Sequence, residues 1–176
     1  VPPTPCTALL PGIGKVRPEC LMALLLPAAG FPMIMYQGSS YSAWAPRVEK
    51  FCAKTYELIS FLVDVLRVAK VDAAFDGTVT YHDSCSGLRE LGIRAQPRQL
   101  LAGVKGLALK EMHDSDVCCG FGGTFCVKYP EISNAMVGEK TGDIAATGAG
   151  TLLAGDLGCL MNMAGKLQRL GAPVQA

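Results

Sequence analysis

Two cysteines stand side by side, Cys118 and Cys119, in the stretch His113 to Glu131, which reads HDSDVCCGFGGTFCVKYPE. Neighbouring cysteines rarely bond to each other, because the small ring strains the peptide between them. Two thiols offered from one tight turn suit a metal ion or an inorganic cluster better, with the thiolate as the ligating form. Gly120, Gly122 and Gly123 let the backbone pass close to a bulky group, with amides free to donate to sulfur. The full set of eight cysteines is Cys6, Cys20, Cys52, Cys85, Cys118, Cys119, Cys126 and Cys159.

The elements that must position these thiols are legible from Thr55 onward. TYELISFLVDVLRVAK places Leu58, Ile59, Leu62, Val65, Leu66 and Ala69 at helical spacing. TVTYH is a short β-branched and aromatic run, predicted as a buried strand, followed by HDSC and the short helix GLRELG. PRQLLAGV predicts a helix opened by Pro97, and LALKEM a strand leading into the CCGFGG loop. PEISNAMVGEKTGDIAATG has proline at its start and glycine at its end, as a helix should. TLLAG predicts a further strand, and LGCLMNMAGKLQRLG a final helix closed by Gly171.

Strands alternating with helices imply α/β architecture with parallel pairing through right-handed crossovers. Sites in such sheets form beyond the carboxyl ends of the strands. Cys85 follows TVTYH, Cys118 and Cys119 follow LALKEM, and Cys159 follows TLLAG, so their sulfurs are expected to converge there. Cys85 and Cys159 also fall where helices should begin, a position that lowers thiol pKa. Asn162, three residues after Cys159, shares its helical face and could offer a carbonyl oxygen or a hydrogen bond to a cluster sulfur. Sulfur ligands suit zinc or iron–sulfur chemistry alike, but the usual structural zinc pattern of two CxxC pairs is absent.

Other residues take plainer readings. Cys126 and Cys52 are expected to pack, and Asp83 to act as a cap or turn acceptor ahead of a helix. His82 and His113 are expected to hydrogen-bond at strand ends rather than to ligate. With two histidines, both near thiols, acid–base chemistry on a substrate has few candidates, which argues for electron transfer. GFGG lacks the order of a dinucleotide loop, and no Gly-Lys-Ser or Gly-Lys-Thr occurs.

The 176 residues suffice for one ordinary domain or two small ones, and half of them are hydrophobic. A net charge of +1 without like-charge runs points away from nucleic acid. An even cysteine count could mean disulfides, but regular α/β text favours reduced thiols and a cytoplasmic setting. Lys15 and Arg17 precede the apolar run CLMALLLPAAGFPMIMY, and Ala43-Trp44-Ala45 follows it. Glu19, Pro27 and Pro32 break this run, so a buried element is expected rather than a signal peptide or membrane span.

YHDSCSGLRELG, then EMHDSDVCCGFGGTFCVKYPEIS, then GDLGCLMN resemble the cysteine-rich CCG domain. That domain occurs in the lactate-utilisation protein A family, the glycolate oxidase iron–sulfur subunit and heterodisulfide reductase subunits. GFGGTF, VKYPEIS and GCLMN are most similar to the lactate-utilisation branch, over Trp44 to Ala176. The resemblance implies Cys85, Cys118, Cys119 and Cys159 as metal ligands, with Gly120, Gly122, Gly123 and Asn162 shaping the cofactor site. It implies an iron–sulfur cluster of the 4Fe–4S kind, and an oxidoreductase subunit that transfers electrons in an L-lactate-oxidising complex yielding pyruvate. Partners would be the other subunits, including a ferredoxin-like iron–sulfur subunit. The alternatives are a zinc-binding docking subunit, or a glycolate oxidase iron–sulfur subunit. The fuller motif ends CxxC, where Asn162 stands here; Ser86 replaces a frequent histidine, and Cys126 a usual serine. The family has tandem copies, whereas this chain has one CC pair. Residues 1–50 are therefore expected to be a shortened or degenerate first copy, and residues 51–176 the C-terminal CCG domain.

Overall fold

The structure, a computed structural model, describes residues 8–10, 13–16, 47, 50–51 and 54–176. Cys6, Cys20, Cys52, the apolar run from Cys20 to Tyr36 and most of the expected first copy lie outside the described residues. Within residues 1–50, β1 (Ala8–Leu10) and β2 (Ile13–Val16) pair antiparallel, with Leu10 opposite Ile13.

The remaining elements follow one another as the alternating pattern demands. A short helix α1 (Leu58–Ser60) widens into a π-type turn over Phe61–Val65. Then come β3 (Ala74–His82), a second such turn over Ser86–Glu90, α2 (Ala95–Ala102) and β4 (Lys105–Leu109). The CC loop leads to α3 (Phe125–Lys128), α4 (Pro130–Ala146), β5 (Thr151–Ala154) and α5 (Leu157–Arg169).

Local chemistry sets these boundaries. Glu57 accepts a hydrogen bond from the Ser60 amide at 2.9 Å and so caps α1. Arg67, at φ 57°, sits in the left-handed region just beyond, so the helix predicted through Ala69 stops at Val65. The widened turn also changes the register: Val63 is buried, while Leu58 and Leu66 of the expected apolar face are exposed. Pro130 opens α4 at a position that needs no amide donor, and Gly148 (φ 62°) follows its end. Asp156 caps α5, accepting from the Cys159 amide at 2.8 Å, and Gly171 (φ 64°) follows.

β3 is the central strand of a parallel sheet ordered β4-β3-β5. Thr80 lies beside Leu152 and His82 beside Ala154, so all four share one face. That face meets the main core, where Leu152 packs with Val137 and Ile144 of α4 and Met163 and Leu167 of α5. Cys119 and Cys159 belong to the same core. Tyr81 faces the other way, and the Arg98 guanidinium of α2 lies 5.7 Å from its ring centre.

Arg98 also ties two strand ends together. It holds buried Asp83 through bonds of 2.8 and 2.9 Å and Glu111 through bonds of 2.6 and 2.9 Å. Ser84, not Asp83, performs the expected capping, accepting from the Gly87 amide at 3.1 Å. Burial gives Asp83 a stronger partner than a turn amide. Among the described residues, no helix is long and apolar enough to cross a membrane.

Candidate metal centre

At the carboxyl edge of the sheet the structure brings two of the four expected sulfurs together with a histidine. The ligand atoms of His82, Cys119 and Cys159 all lie within 4.8 Å of one another, and all three residues are buried. Beside them the half-buried thiols of Cys85 and Cys118 are in hydrogen-bonding contact. Cys85 directly precedes the turn Ser86–Glu90, and Cys159 sits in the first turn of α5. Each of the five cysteines from Cys85 to Cys159 is a free thiol.

The electrostatics separate these sulfurs. Cys119 has its pKa lowered, chiefly because the Cys159 thiol donates to it; the nearby His82 and the Phe121 amide add to the effect against the cost of burial. Cys159 is correspondingly raised, because it holds the shared proton in a buried place beside Asp156. Cys85 is raised too, by burial first and then by Cys118. The lowering expected for Cys85 and Cys159 at helix starts is thus overturned, since burial and neighbouring sulfurs outweigh a helix terminus.

His82 lies at the end of β3, where a hydrogen-bonding role was expected, and its ring faces the two buried thiols. It is 0% exposed, and neither ring nitrogen has a hydrogen-bond partner. A buried imidazole normally satisfies both nitrogens, and the groups beside this one are the Cys119 and Cys159 sulfurs, of which Cys119 is lowered in pKa partly by His82. Alternation along β3 was the available signal: it puts His82 on the thiol side, two residues from buried Thr80. His113 stays on the surface instead, bonded to Asp114 at 2.9 Å.

The glycines do what the loop requires. Gly120 has φ 79°, and a Cβ there would fall 2.8 Å from the Ser133 carbonyl oxygen. Gly122 (φ 49°) would place one 2.8 Å from Phe125, whereas Gly123 (φ 60°) meets nothing and needs only its conformation. The Gly120 amide points to the Cys118 sulfur at 3.4 Å. Asn162 is drawn to the backbone rather than to a sulfur: its amide donates to the Cys119 carbonyl at 2.9 Å. The Cys126 thiol donates to the Gly123 carbonyl at 3.1 Å, in keeping with a local packing role.

Residues 79–164 match the family described as CCG, a cysteine-rich domain. The chain carries a CCG domain. It is 49% identical over 132 residues to "Lactate utilization protein A" of Bacillus cytotoxicus, covering 75% of this chain and 55% of that protein. The protein of the same name from Halalkalibacterium halodurans is 48% identical over 132 residues, covering 75% and 54%. The one from Geobacillus kaustophilus is 48% identical over 132 residues, covering 75% and 55%. The chain therefore spans about half the length of these relatives.

The CCG domain's donor set fits a thiolate-held inorganic group. Two cysteine sulfurs and an imidazole lie together, with Cys85 and Cys118 in contact with each other beside a loop whose glycines keep side chains out of the way. Across the sheet lies a cavity of about 180 Å³, lined among others by Glu57, Tyr81, Asp83, Ser84 and Asp156. The cap of α5, Asp156, contributes both to this cavity and to the hydrogen bonds of Cys159.

Proposed function

We propose that this chain is the CCG-domain part of an iron–sulfur subunit that passes electrons in the oxidation of L-lactate to pyruvate. Cys85, Cys118, Cys119 and Cys159 would hold the cluster, probed as the 4Fe–4S type, and His82 would stand beside them. The observation that supports this reading is the grouping of Cys119 and Cys159 with His82, beside the Cys85–Cys118 contact, in a chain so similar to lactate utilization protein A. When bound, the cluster supplies one-electron redox chemistry. The chain's own residues hold it, exclude water from Cys119 and Cys159, and aim loop amides at sulfur.

Substrate turnover belongs elsewhere in this proposal. The cavity carboxylates Glu57 and Asp156 disfavour an anion such as lactate, whereas Arg98 is already committed to Asp83 and Glu111. Exposed Leu157 and Met161 flank Cys159 in sequence, and exposed Val117 precedes Cys118. Apolar surface near the thiols supports a partner subunit there, with a ferredoxin-like protein as electron acceptor or donor. The proposal includes a cytoplasmic setting and a shortened first copy in residues 1–50.

One observation favours a second reading. An imidazole and two thiols within 4.8 Å are compact enough for a single zinc ion, with Cys85 or Cys118 completing a tetrahedron. The chain would then be a docking subunit without redox activity. Iron, zinc and acid-labile sulfide, measured on anaerobically purified protein with its visible spectrum, separate the two. Iron and sulfide together, with absorbance that bleaches on reduction, support electron transfer. Zinc without sulfide moves the chain to the docking role, and no bound metal defeats both.

A further inference from the structure

Lys140 is 2% exposed, which is rare for a lysine, because burying an ammonium group costs several kcal/mol unless partners replace its water. It lies on the buried face of α4 with Ser133, Val137, Thr141 and Ile144. Its Nζ donates to the carbonyl oxygen of Asp114, at the start of the turn that leads to the cysteine pair. Burial lowers its pKa, while Asp143, Asp114, Asp116 and the Cys119 sulfur oppose that by favouring the charged form.

The surrounding bonds show what this position does. One turn along α4, Asp143 accepts from the amides of His113 at 3.1 Å and Asp114 at 3.0 Å. Ser133 Oγ donates to the Gly120 carbonyl at 2.8 Å, and Asn162 to the Cys119 carbonyl at 2.9 Å. The carbonyls of Asp114, Cys119 and Gly120 are therefore all held by helix side chains. With those oxygens committed, the Gly120 and Phe121 amides are left for the Cys118 and Cys119 sulfurs. A loop holding vicinal thiols has no regular hydrogen-bond ladder to fix it, so these side chains take the place of one.

We infer that Lys140 is a positioning residue for the metal centre, anchoring the Cys118–Cys119 loop through its bond to the Asp114 carbonyl. This role rests on the metal centre proposed above. Its test uses the whole chain as wild type, Lys140→Met, Lys140→Arg and Cys119→Ser, with cobalt(II) as a coloured probe of thiolate ligation. Cobalt affinity and band position are read by titration, and amide hydrogen exchange over residues 114–121 is read in metal-free protein.

Lys140→Met is expected to weaken cobalt binding about 10- to 100-fold, to shift the band, and to speed exchange in 114–121 while β3 stays protected. Lys140→Arg, which keeps a donor at this position, is expected to recover part of each. Wild-type affinity and unchanged exchange in Lys140→Met overturn the inference while leaving the metal centre intact, provided Cys119→Ser loses cobalt. If the wild type takes up neither cobalt nor iron and sulfide, the proposed function falls on its own. Exchange over 114–121 then still decides the anchoring: selective acceleration in Lys140→Met supports it, and unchanged or global acceleration overturns it.

Discussion

The side-chain amide of Asn162 donates to the carbonyl oxygen of Cys119 across 2.9 Å, joining the first turns of α5 to the thiol loop. The same helix supplies Cys159 to the centre, so one bond sets the distance between two candidate ligands. Asn162→Ala should loosen that distance without touching a sulfur. Metal affinity, measured by chelator competition, is expected to fall about 10-fold or more, with far-UV circular dichroism unchanged. Unaltered affinity would show that the bond is incidental.

Cys119 sits where its sulfur meets both Cys159 and His82, and it is 1% exposed. Cys119→Ser exchanges a soft ligand for a hard hydroxyl of similar size, so bound metal should be lost while the fold survives. Iron, zinc and sulfide contents beside a circular dichroism spectrum check this. Full metal retention would remove Cys119 from the ligand set.

For His82, stability and binding should move in opposite directions. Its buried ring has only the two thiols beside it, a poor replacement for water, so His82→Leu is expected to leave metal-free stability equal or higher, by about 1 kcal/mol. Metal binding should weaken in the same variant. Paired urea unfolding and metal titration decide it, and a variant that binds metal as the wild type does would make His82 a bystander.

Gly120→Ala meets two obstacles, a left-handed backbone at φ 79° and the Ser133 carbonyl oxygen 2.8 Å from the new methyl. The neighbour is backbone, so the loop must move. A stability loss of about 1–3 kcal/mol is expected together with loss of metal. Gly123→Ala, which meets nothing, should cost only the conformational share. Equal stability losses in the two variants, by urea unfolding, would contradict the steric account.

Tyr81 gives the chain a stability limit in alkali. Burial, helped by Asp83 and Glu57, raises its pKa from the ordinary 10 to about 12. Between those values the unfolded chain releases a proton that the folded chain keeps. Tyr81's contribution to stability is therefore complete below pH 10 and is lost as pH rises toward 12. Urea midpoints through this window should decline more steeply in the wild type than in Tyr81→Phe. Parallel slopes would assign the alkaline loss to other groups.

Much of this was written in local sequence. Alternation and helical spacing marked β3, β5, α4 and α5, because each presents one face to a core and ends at a proline, a glycine or an acidic cap. Strands alternating with helices implied parallel pairing, which the sheet shows, and Cys119 and Cys159 lie together at its carboxyl edge. Lys140 was also visible in principle, three residues beyond Val137 and four before Ile144, a register that belongs to the core. What only the tertiary structure decided is how groups distant in sequence divide their bonds. Whether Asn162 meets a sulfur or a carbonyl, whether His82 finds a partner, and which thiol keeps the proton depend on distances set by packing α4 and α5 on the sheet. Periodicity specifies which face of an element is buried, but not which polar atom on that face lies opposite which other.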